Sequence, residues 1–335
     1  MILSKLRITS TLAVLVFFVL TGCSGGATSS TATVTGMEDP NITIAAVPSA
    51  DLAGVYIAQD DGFFARAGLH VNIVKVPSSK AIIAEQLAGK IDISAGAYTP
   101  YISEEALGEK FHILAEGSIM TPGTRLLMVR KGSPLTKLSQ LKNKTIGMNA
   151  TNSIGTLLVD ASLEQNGVSP TTVHLVTDAA GFTTMASKLA SGTWDAAFFG
   201  EPFATQGEEE YGESNLVDLD QGATTSLPVS GYIVTQSWLD KNPKTAAAFV
   251  SAIEAAQLDA DSNPNAARDA MAQSDGLQQV VTDVMAIPDF PIGTVSYTRI
   301  QQEALDMIQF GLLSKKYTSV VDSGALVKAL IGSGS

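Results

Sequence analysis

The sequence predicts an α/β protein with two lobes, each formed by a doubly wound sheet with helices on its faces. Strand-like and helix-like segments alternate between residues 41 and 101, and the same alternation recurs between residues 126 and 199. Alternation of this kind is typical of parallel strands covered by helices. Of the 335 residues, about 290 follow a low-complexity N-terminal stretch, which is enough for two lobes.

The first series starts with a β-branched strand. Apolar residues three and four apart then indicate a helix that Gly68 ends, and Ser78 and Ser79 offer an N-cap for the next helix. The predicted elements are strand 42–47, helix 55–67, strand 70–76, a helix from the serine cap to residue 89, and strand 91–95.

The second series follows a strand-like segment, Leu126–Arg130, and a short helix, 138–142. Its predicted elements are strand 145–148, helix 153–166, strand 174–176, helix 182–191 and strand 194–199. Ser230–Thr235 then predicts a strand that runs back, and residues 243–331 are predicted to be mostly helix and loop.

Two extended segments, near Leu127–Lys131 and Ser230–Thr235, are predicted to join the lobes as a two-segment hinge. The predicted boundaries are residues 41–127 with 235–335 for the first lobe, and residues 128–234 for the second. A crevice between two lobes is a common place for a small ligand.

The N-terminus predicts export from the cytoplasm. Lys5 and Arg7 precede an apolar run of about 13 residues, too short to span a bilayer, and Leu20-Thr21-Gly22-Cys23 follows. This tetrapeptide resembles a bacterial lipobox, which implies a signal peptide over residues 1–23 and a lipid on Cys23, the single cysteine of the chain. The alternative is a plain signal peptide that contains a cysteine. Residues 24–40, rich in Ser, Thr, Gly and Ala, predict a flexible tether.

Composition narrows the class of partner. The formal net charge of −12 makes the chain a poor partner for nucleic acid or for an anionic membrane surface. With 45% apolar and 16% charged residues, a well-buried core is expected.

Several segments resemble the solute-binding proteins for nitrate, aliphatic sulfonates, taurine and thiamine pyrimidine precursors. The resemblance is carried by motifs in the same order along the chain: Gly62-Phe63-Phe64, Gly68-Leu69 with Val71, Ala88-Gly89 with Ile91-Asp92, Asp195-Ala196 with Glu201-Pro202, and Gly311-Leu312-Leu313. It implies a type II periplasmic-binding-protein fold whose lobes close on a small solute. It also implies two separate partner subunits, an ABC permease and an ATPase, on the extracytoplasmic side of a membrane.

Candidate ligand-binding residues follow from the rule that ligands sit beyond the carboxyl ends of parallel strands. The loops in question are small or rich in hydroxyl groups, and each residue could instead cap a helix or pack at a lobe edge. Glu201 could contact the ligand, close the cleft or meet the permease. The candidates are Ser49, Asp51, Ser78, Ser79, Ala97, Tyr98, Thr151, Asn152, Ser153 and Glu201.

Ligand chemistry stays open at this stage. The candidate loops contain no arginine and, apart from Lys80, no lysine. A multiply charged anion would need cations or many donors, although helix amides can hold a sulfonate or carboxylate. A neutral or N–H-bearing solute fits these loops equally well.

Two other functions compete with import. One branch of the same fold makes the thiamine pyrimidine, using a cysteine-rich motif and a pyridoxal cofactor, but here Cys23 is the single cysteine and His70, His112 and His174 stand apart. The sequence therefore predicts a protein that is not an enzyme, without cofactor or metal. A surface lipoprotein that acts as a sensor or adhesin on the same scaffold remains an alternative.

Overall fold

The strands of the computed structural model, which describes residues 36–332, form two five-stranded sheets. The predicted α/β fold class is confirmed. The predicted signal peptide, its Cys23 and most of the predicted tether lie outside the described residues.

The first sheet has the strand order β2-β1-β3-β10-β4. β1 runs parallel to β2 and β3, with Ile44 opposite Ile73 and Ile93, whereas β10 is antiparallel to both of its neighbours. The strands are β1 (Asn41–Ala46), β2 (His70–Lys75), β3 (Ile93–Ala97), β4 (Phe111–Ile119) and β10 (Pro228–Thr235).

The second sheet repeats this plan with the order β7-β6-β8-β5-β9. β6 is parallel to β7 and β8, and β5 is antiparallel to β8 and β9. Its strands are β5 (Arg125–Val129), β6 (Thr145–Met148), β7 (His174–Thr177), β8 (Ala196–Gly200) and β9 (Ser214–Asp218).

Each sheet thus receives its antiparallel strand from the segment that crosses over from the other sheet. β5 follows β4 of the first sheet directly, and β10 follows β9 of the second. The chain therefore passes between the sheets at residues 120–124 and 219–227. The predicted lobe boundaries, 127/128 and 234/235, fall within β5 and at the end of β10, and the assignment of residues to lobes stays a prediction.

Fourteen α-helices occur in the described residues. They are α1 (Ala53–Asp60), α2 (Phe63–Arg66), α3 (Ser79–Leu87), α4 (Tyr98–Leu107), α5 (Ile154–Gln165), α6 (Met185–Ala190), α7 (Phe203–Tyr211), α8 (Gln236–Lys241), α9 (Pro243–Ser262), α10 (Pro264–Asp275), α11 (Gln279–Val284), α12 (Tyr297–Gln309), α13 (Thr318–Asp322) and α14 (Ala325–Ile331).

Three predicted helices differ from the structure. The short helix predicted over residues 138–142 is a 3-10 turn, Leu138–Leu141. The helix predicted over residues 55–67 is interrupted between α1 and α2, because Gly62 adopts a left-handed conformation with φ +72° that ends the first helix. The helix predicted over residues 182–191 begins as a 3-10 turn, Gly181–Thr184, and continues as α6. The elements α4, β4, α7, β9 and α8 were not predicted from the sequence.

Aromatic packing fixes the helices on the first sheet. The ring of Phe249 on α9 stacks on Phe64 of α2 at 5.8 Å and meets Tyr232 of β10 edge-on at 5.4 Å. The N-terminal residues of the described chain pack against α9. The Glu38 carboxylate accepts hydrogen bonds from the backbone amides of Lys244 and Thr245 at 3.1 Å, at the start of α9. Contacts with the folded chain therefore begin before Asn41.

Among residues 36–332, none of the helices has the length and apolar character needed to cross a bilayer.

Candidate ligand-binding cleft

A small cavity lies where the carboxyl ends of the parallel strands in both sheets meet. Its volume is about 50 Å³. Loops after β1 and β2 and the end of β3 line it from the first sheet, and the loops after β6 and β7 line it from the second. The position agrees with the rule that ligands bind beyond the carboxyl ends of strands in open α/β sheets.

Most of the predicted site residues come together around this cavity, although they derive from four different loops or strand ends. Eight of the ten line it, and Lys80 lies beside them. The eight are Ser49, Asp51, Ser78, Ser79, Ala97, Thr151, Asn152 and Ser153. Whether they contact a solute stays a prediction.

Three of these serines also have structural partners. Ser78 caps α3 by accepting from the Ala81 amide at 3.4 Å, and Ser153 caps α5 by accepting from the Thr156 amide at 3.4 Å. Ser79 Oγ accepts from the Ala97 amide at 2.9 Å. The capping role weighed for Ser78 and Ser153 is therefore present, and both residues also line the cavity.

The most polar part of the cavity wall is an ion pair between Asp51 and Arg125. The guanidinium Nη2 donates to Asp51 Oδ2, and each of the two residues is only 4% exposed. Ser49 donates to the same carboxylate oxygen, and Ser118 Oγ donates to Asp51 Oδ1 at 3.2 Å. Ser118 also shares a hydrogen bond of 3.0 Å with Ser230.

Arg125 is a lining residue that the sequence interpretation missed. It opens β5, and because β5 is antiparallel to β8, its first residue lies opposite Gly200 at the carboxyl end of β8. The guanidinium packs so close to Gly200 that a Cβ there would collide with it. Burial lowers the pKa of Arg125 to about 10, with the charge of Glu201 acting in the opposite direction, so the side chain is still cationic at neutral pH. The rule that ligands bind beyond the carboxyl ends of parallel strands does not predict a residue at the amino end of an antiparallel strand.

Ser230 was missed for the same reason. It lies near the start of β10 and pairs with Ala97 at the carboxyl end of the antiparallel β3. An antiparallel strand brings its amino end to the edge where its parallel neighbours end. The prediction that Ser230–Thr235 runs back was the signal that could have placed it at the site.

The structure does not bring Tyr98 to the cavity surface. Its side chain is fully buried beneath β10, with the hydroxyl so close to Gly231 that a Cβ there would collide with it. The backbone of α4 starts at Tyr98, and its ring points into the core instead of into the loop cluster.

Glu201 also lies off the cavity lining, 3% exposed. Its carboxylate accepts from the amide and hydroxyl of Thr205, at 3.2 and 2.8 Å, and from the Ala286 amide at 3.4 Å. Burial raises the pKa of Glu201 to about 7, although the hydrogen bonds from Thr205 act to lower it. The three roles predicted for Glu201 stay predictions.

Two backbone contacts hold loops of the two sheets together beside the cavity. The Ala50 amide donates to the Glu201 carbonyl oxygen at 2.9 Å. Gly181, with φ +66°, approaches Pro77 so closely that a Cβ would lie 2.9 Å from the Pro77 carbonyl oxygen. The cavity is therefore narrow because the loops from the two sheets touch.

A larger cavity of about 620 Å³ adjoins the first one and shares Val47 and Phe182 with it. The Phe182 ring stacks on Phe203 with centroids 5.5 Å apart. Lys75, Gln206 and Glu210 add polar groups to its wall. Its volume falls within the range of small-molecule sites.

Among residues 36–332, no group of three or more His, Cys, Asp or Glu side chains is arranged to hold a metal ion. His70, His112 and His174 lie on three different strands, β2, β4 and β7. None of them lines either of the two cavities described above.

The chain is similar in sequence to proteins named as a binding protein and as a synthase. It is 25% identical over 205 residues to "Putative binding protein YtlA" of Bacillus subtilis (strain 168), a match that covers 61% of each chain. It is 26% identical over 214 residues, or 60% of each chain, to the 4-amino-5-hydroxymethyl-2-methylpyrimidine phosphate synthase of Uromyces fabae. The chain thus spans about 60% of the length of these curated relatives.

In three dimensions the chain is similar to the periplasmic aliphatic sulphonate binding protein SsuA from Escherichia coli. The TM-score is 0.66 at 18% identity, with 83% of this chain and 95% of that chain covered. This similarity confirms the predicted periplasmic-binding-protein fold.

The family assignment rests on residues 49–267, which include the cleft loops and most of both sheets. The model of the family described as "NMT1/THI5 like" matches this range, more than half of the chain. The predicted resemblance is confirmed, and the chain belongs to the NMT1/THI5-like family.

Proposed function

We propose that this protein is the extracytoplasmic solute-binding subunit of an ABC importer. The observation that carries the proposal is the convergence of strand ends from both sheets on one cavity. A site built from two separate sheets can close around a solute and release it when the sheets move apart.

The relatives support this reading. One is named a binding protein, and a solved structure of the same fold is named a sulphonate binding protein. The proposed substrate is a small polar solute, sulfonate-like or taurine-like, or else similar to a thiamine pyrimidine. The serine hydroxyls and the loop 149–153 would provide hydrogen bonds to it.

The proposed partners follow from this role. A membrane permease would receive the solute, and a cytoplasmic ATPase would drive its transport. We propose that a lipid on Cys23 holds the protein at the outer face of the cell membrane, with residues 24–40 as tether. No catalytic step is assigned to the chain, even though one relative is named a synthase.

The experiment is a solute screen with the full chain, expressed in a secreting bacterial host and purified from it. Thermal-shift measurements would cover sulfonates, taurine, nitrate, bicarbonate, pyrimidines and flavins, followed by calorimetric titration of each hit. We expect one small polar solute to raise the melting temperature, because a ligand that binds only the folded state stabilises it. A screen without any shift would contradict the proposal.

A matched pair of variants locates the site. Thr151→Trp places a large ring at the exposed edge of the cavity, and Thr171→Trp makes the same change at an exposed position outside it. Thr151→Trp should weaken binding at least tenfold, and Thr171→Trp should bind as the unmodified protein does. Equal binding by both variants would place the solute elsewhere.

The anchor is tested separately. Cys23→Ala in the full chain should abolish incorporation of radiolabelled fatty acid and release the protein from the membrane fraction. Persistent labelling would show that Cys23 is not the attachment point.

The alternative of an enzyme can be tested on the same preparation. Incubation with pyridoxal phosphate and analysis by mass spectrometry would detect a pyrimidine product. Formation of that product by the purified chain would contradict the proposal.

A further inference from the structure

We infer that the cleft selects solutes without net charge, either neutral or zwitterionic, and rejects simple anions, because Asp51 and Arg125 neutralise each other on its wall. The inference rests on the proposed function and narrows its substrate class. It separates this chain from a protein that captures a free sulfonate or nitrate ion.

The charged residues that line the cavity support this selection. Three lining residues carry a charge: Asp51, Lys80 and Arg125. Lys80 is exposed to solvent, whereas Asp51 and Arg125 are each 4% exposed. The buried part of the wall therefore has one negative and one positive group and no net charge.

The hydrogen bonds of the pair are largely satisfied within the protein. Asp51 accepts from Ser49, Ser118 and Arg125. Arg125 donates to Asp51 and, through Nη1, to the Thr124 carbonyl oxygen at 2.8 Å. The guanidinium is thus occupied by a carboxylate of the protein's own chain, which takes the position that an anionic group of a solute would need.

An anion that entered the cavity would meet the buried Asp51 carboxylate next to the one buried cation. Like charges at short range in a poorly solvated site disfavour each other, and a buried charge is tolerated only when it is paired. The solute would have to displace Asp51 from Arg125 and leave that carboxylate unpaired. The backbone amides at the start of α3 and α5 could also bind an anion. Fewer of them are available, because the Ala81 and Thr156 amides already donate to Ser78 and Ser153.

A neutral solute meets no such obstacle. Serine hydroxyls and the side chains of Asn149 and Asn152 offer both donors and acceptors. A zwitterion can direct its cationic group to Asp51 and its anionic group to Arg125, so that the pair opens without leaving either charge alone. The lining therefore favours solutes that satisfy both members at once.

The test changes the charge of the wall in a double-mutant cycle. Asp51→Asn leaves the buried part of the wall with one positive charge, and Arg125→Gln leaves it with one negative charge. The double variant makes the buried part neutral again, and the exposed Lys80 is the same in all of them. Calorimetric titration at pH 7.5 would use the hits of the solute screen and two matched pairs, taurine with ethanesulfonate and cytosine with orotate. Ethanolamine would serve as the cationic probe, and circular dichroism would check that each variant is folded.

The unmodified protein should bind neutral or zwitterionic solutes at least tenfold more tightly than the matched anion. Asp51→Asn should bind ethanesulfonate or orotate at least tenfold more tightly than the unmodified protein does. Arg125→Gln should bind ethanolamine more tightly. The double variant should show neither increase in affinity. The comparison within the unmodified protein does not depend on whether the variants fold.

Tighter binding of the anion by the unmodified protein would overturn the inference and leave the proposed function standing. Unchanged anion affinity in a folded Asp51→Asn variant would overturn it as well. The absence of binding by any solute to any of these proteins would instead overturn the proposed function, and the inference with it.

Discussion

Two of the regions in which the protein buries acidic side chains differ in how the carboxyl group is stabilised. In the cleft, Asp51 is ion-paired with Arg125 and hydrogen-bonded to two serines. On α12, Glu303 is fully buried and accepts from Thr99 at 2.7 Å, while its Oε2 has no hydrogen-bond partner among the described residues. Burial raises the pKa of Glu303 to about 8 and that of its neighbour Asp306 to about 6.

The comparison shows two ways in which a protein can stabilise a buried carboxyl group. A cation within hydrogen-bond distance stabilises the ionised form, whereas a site without a cation favours the neutral, protonated form. The ionised carboxylate, Asp51, lies at the cavity wall, where a solute could replace Arg125 or Asp51 in the ion pair. The carboxyl group with the raised pKa, Glu303, lies in the core.

The largest expected effect comes from removing the cation of the cleft. Arg125→Met keeps much of the apolar stem but leaves Asp51 buried and unpaired, so the free energy of unfolding at pH 7 should fall by about 3–5 kcal/mol. The variant should then resemble the Glu303 site and become more stable as the pH is lowered towards 5, because the lone carboxyl can protonate. Urea denaturation at several pH values measures both effects.

Lys90→Met is the control for this prediction. Lys90 forms an ion pair with Glu85 at 2.8 Å, but both side chains are largely exposed, so the loss should be below about 1 kcal/mol. Equal losses for Arg125→Met and Lys90→Met would show that the pair in the cleft has no special role in stability.

The second effect concerns the neutral acid of the core. Because the pKa of Glu303 is raised in the folded state, the folded protein binds more protons than the unfolded chain between about pH 4.5 and 8. The contribution of the Glu303 carboxyl group to the free energy of unfolding is therefore fully present below about pH 4.5 and is lost as the pH rises to about 8. In the unmodified protein the unfolding free energy should fall between pH 5 and pH 8 because Glu303 loses its proton. Glu303→Gln should remove about 3–4 kcal/mol of this fall.

Urea denaturation at pH 5, 6, 7 and 8 would compare the unmodified protein with Glu303→Gln. The exposed Glu109→Gln is the control, and its profile should follow that of the unmodified protein. Parallel profiles for all three proteins would mean that Glu303 is ionised in the folded state.

The smallest effect is expected from a single hydrogen bond to the cleft carboxylate. Ser118→Ala removes the donor to Asp51 Oδ1, which should lower the free energy of unfolding by about 1 kcal/mol. Ser262→Ala removes an exposed hydroxyl and should change stability by less than about 0.5 kcal/mol. Denaturant titration of both variants would show whether the Ser118 bond supports the pair, and identical midpoints would contradict this.

Local patterns predicted much of the architecture. The two β-α-β-α-β series, the strand that runs back and the two serine caps at Ser78 and Ser153 all occur in the structure. These features depend on neighbours within a few residues, such as β-branched runs and a hydroxyl before a helix. The expectation that polar loops meet at the strand ends followed from the parallel order of the strands.

Local patterns failed where distant segments decide the environment. Arg125 and Asp51 are 74 residues apart in the sequence. All residues of the strand Arg125–Val129 are buried, and its sequence resembles that of an ordinary apolar strand, so it does not mark Arg125 as a site residue. Tyr98 follows a strand end, as a ligand residue would, but β10 covers its ring. A side chain near a strand end can point to the cavity or to the core, and only its packing partners determine which.

The sequence by itself determined the alternating elements, the helix caps and the hydroxyl-rich character of the cleft loops, since each depends on short-range propensity. Only the tertiary structure decided the charge of the cleft. An antiparallel strand brings the amino end of β5 to the edge where its neighbours end, and this places Arg125 beside Asp51. Coulomb interactions depend on distance in space, which the order of residues along the chain does not specify.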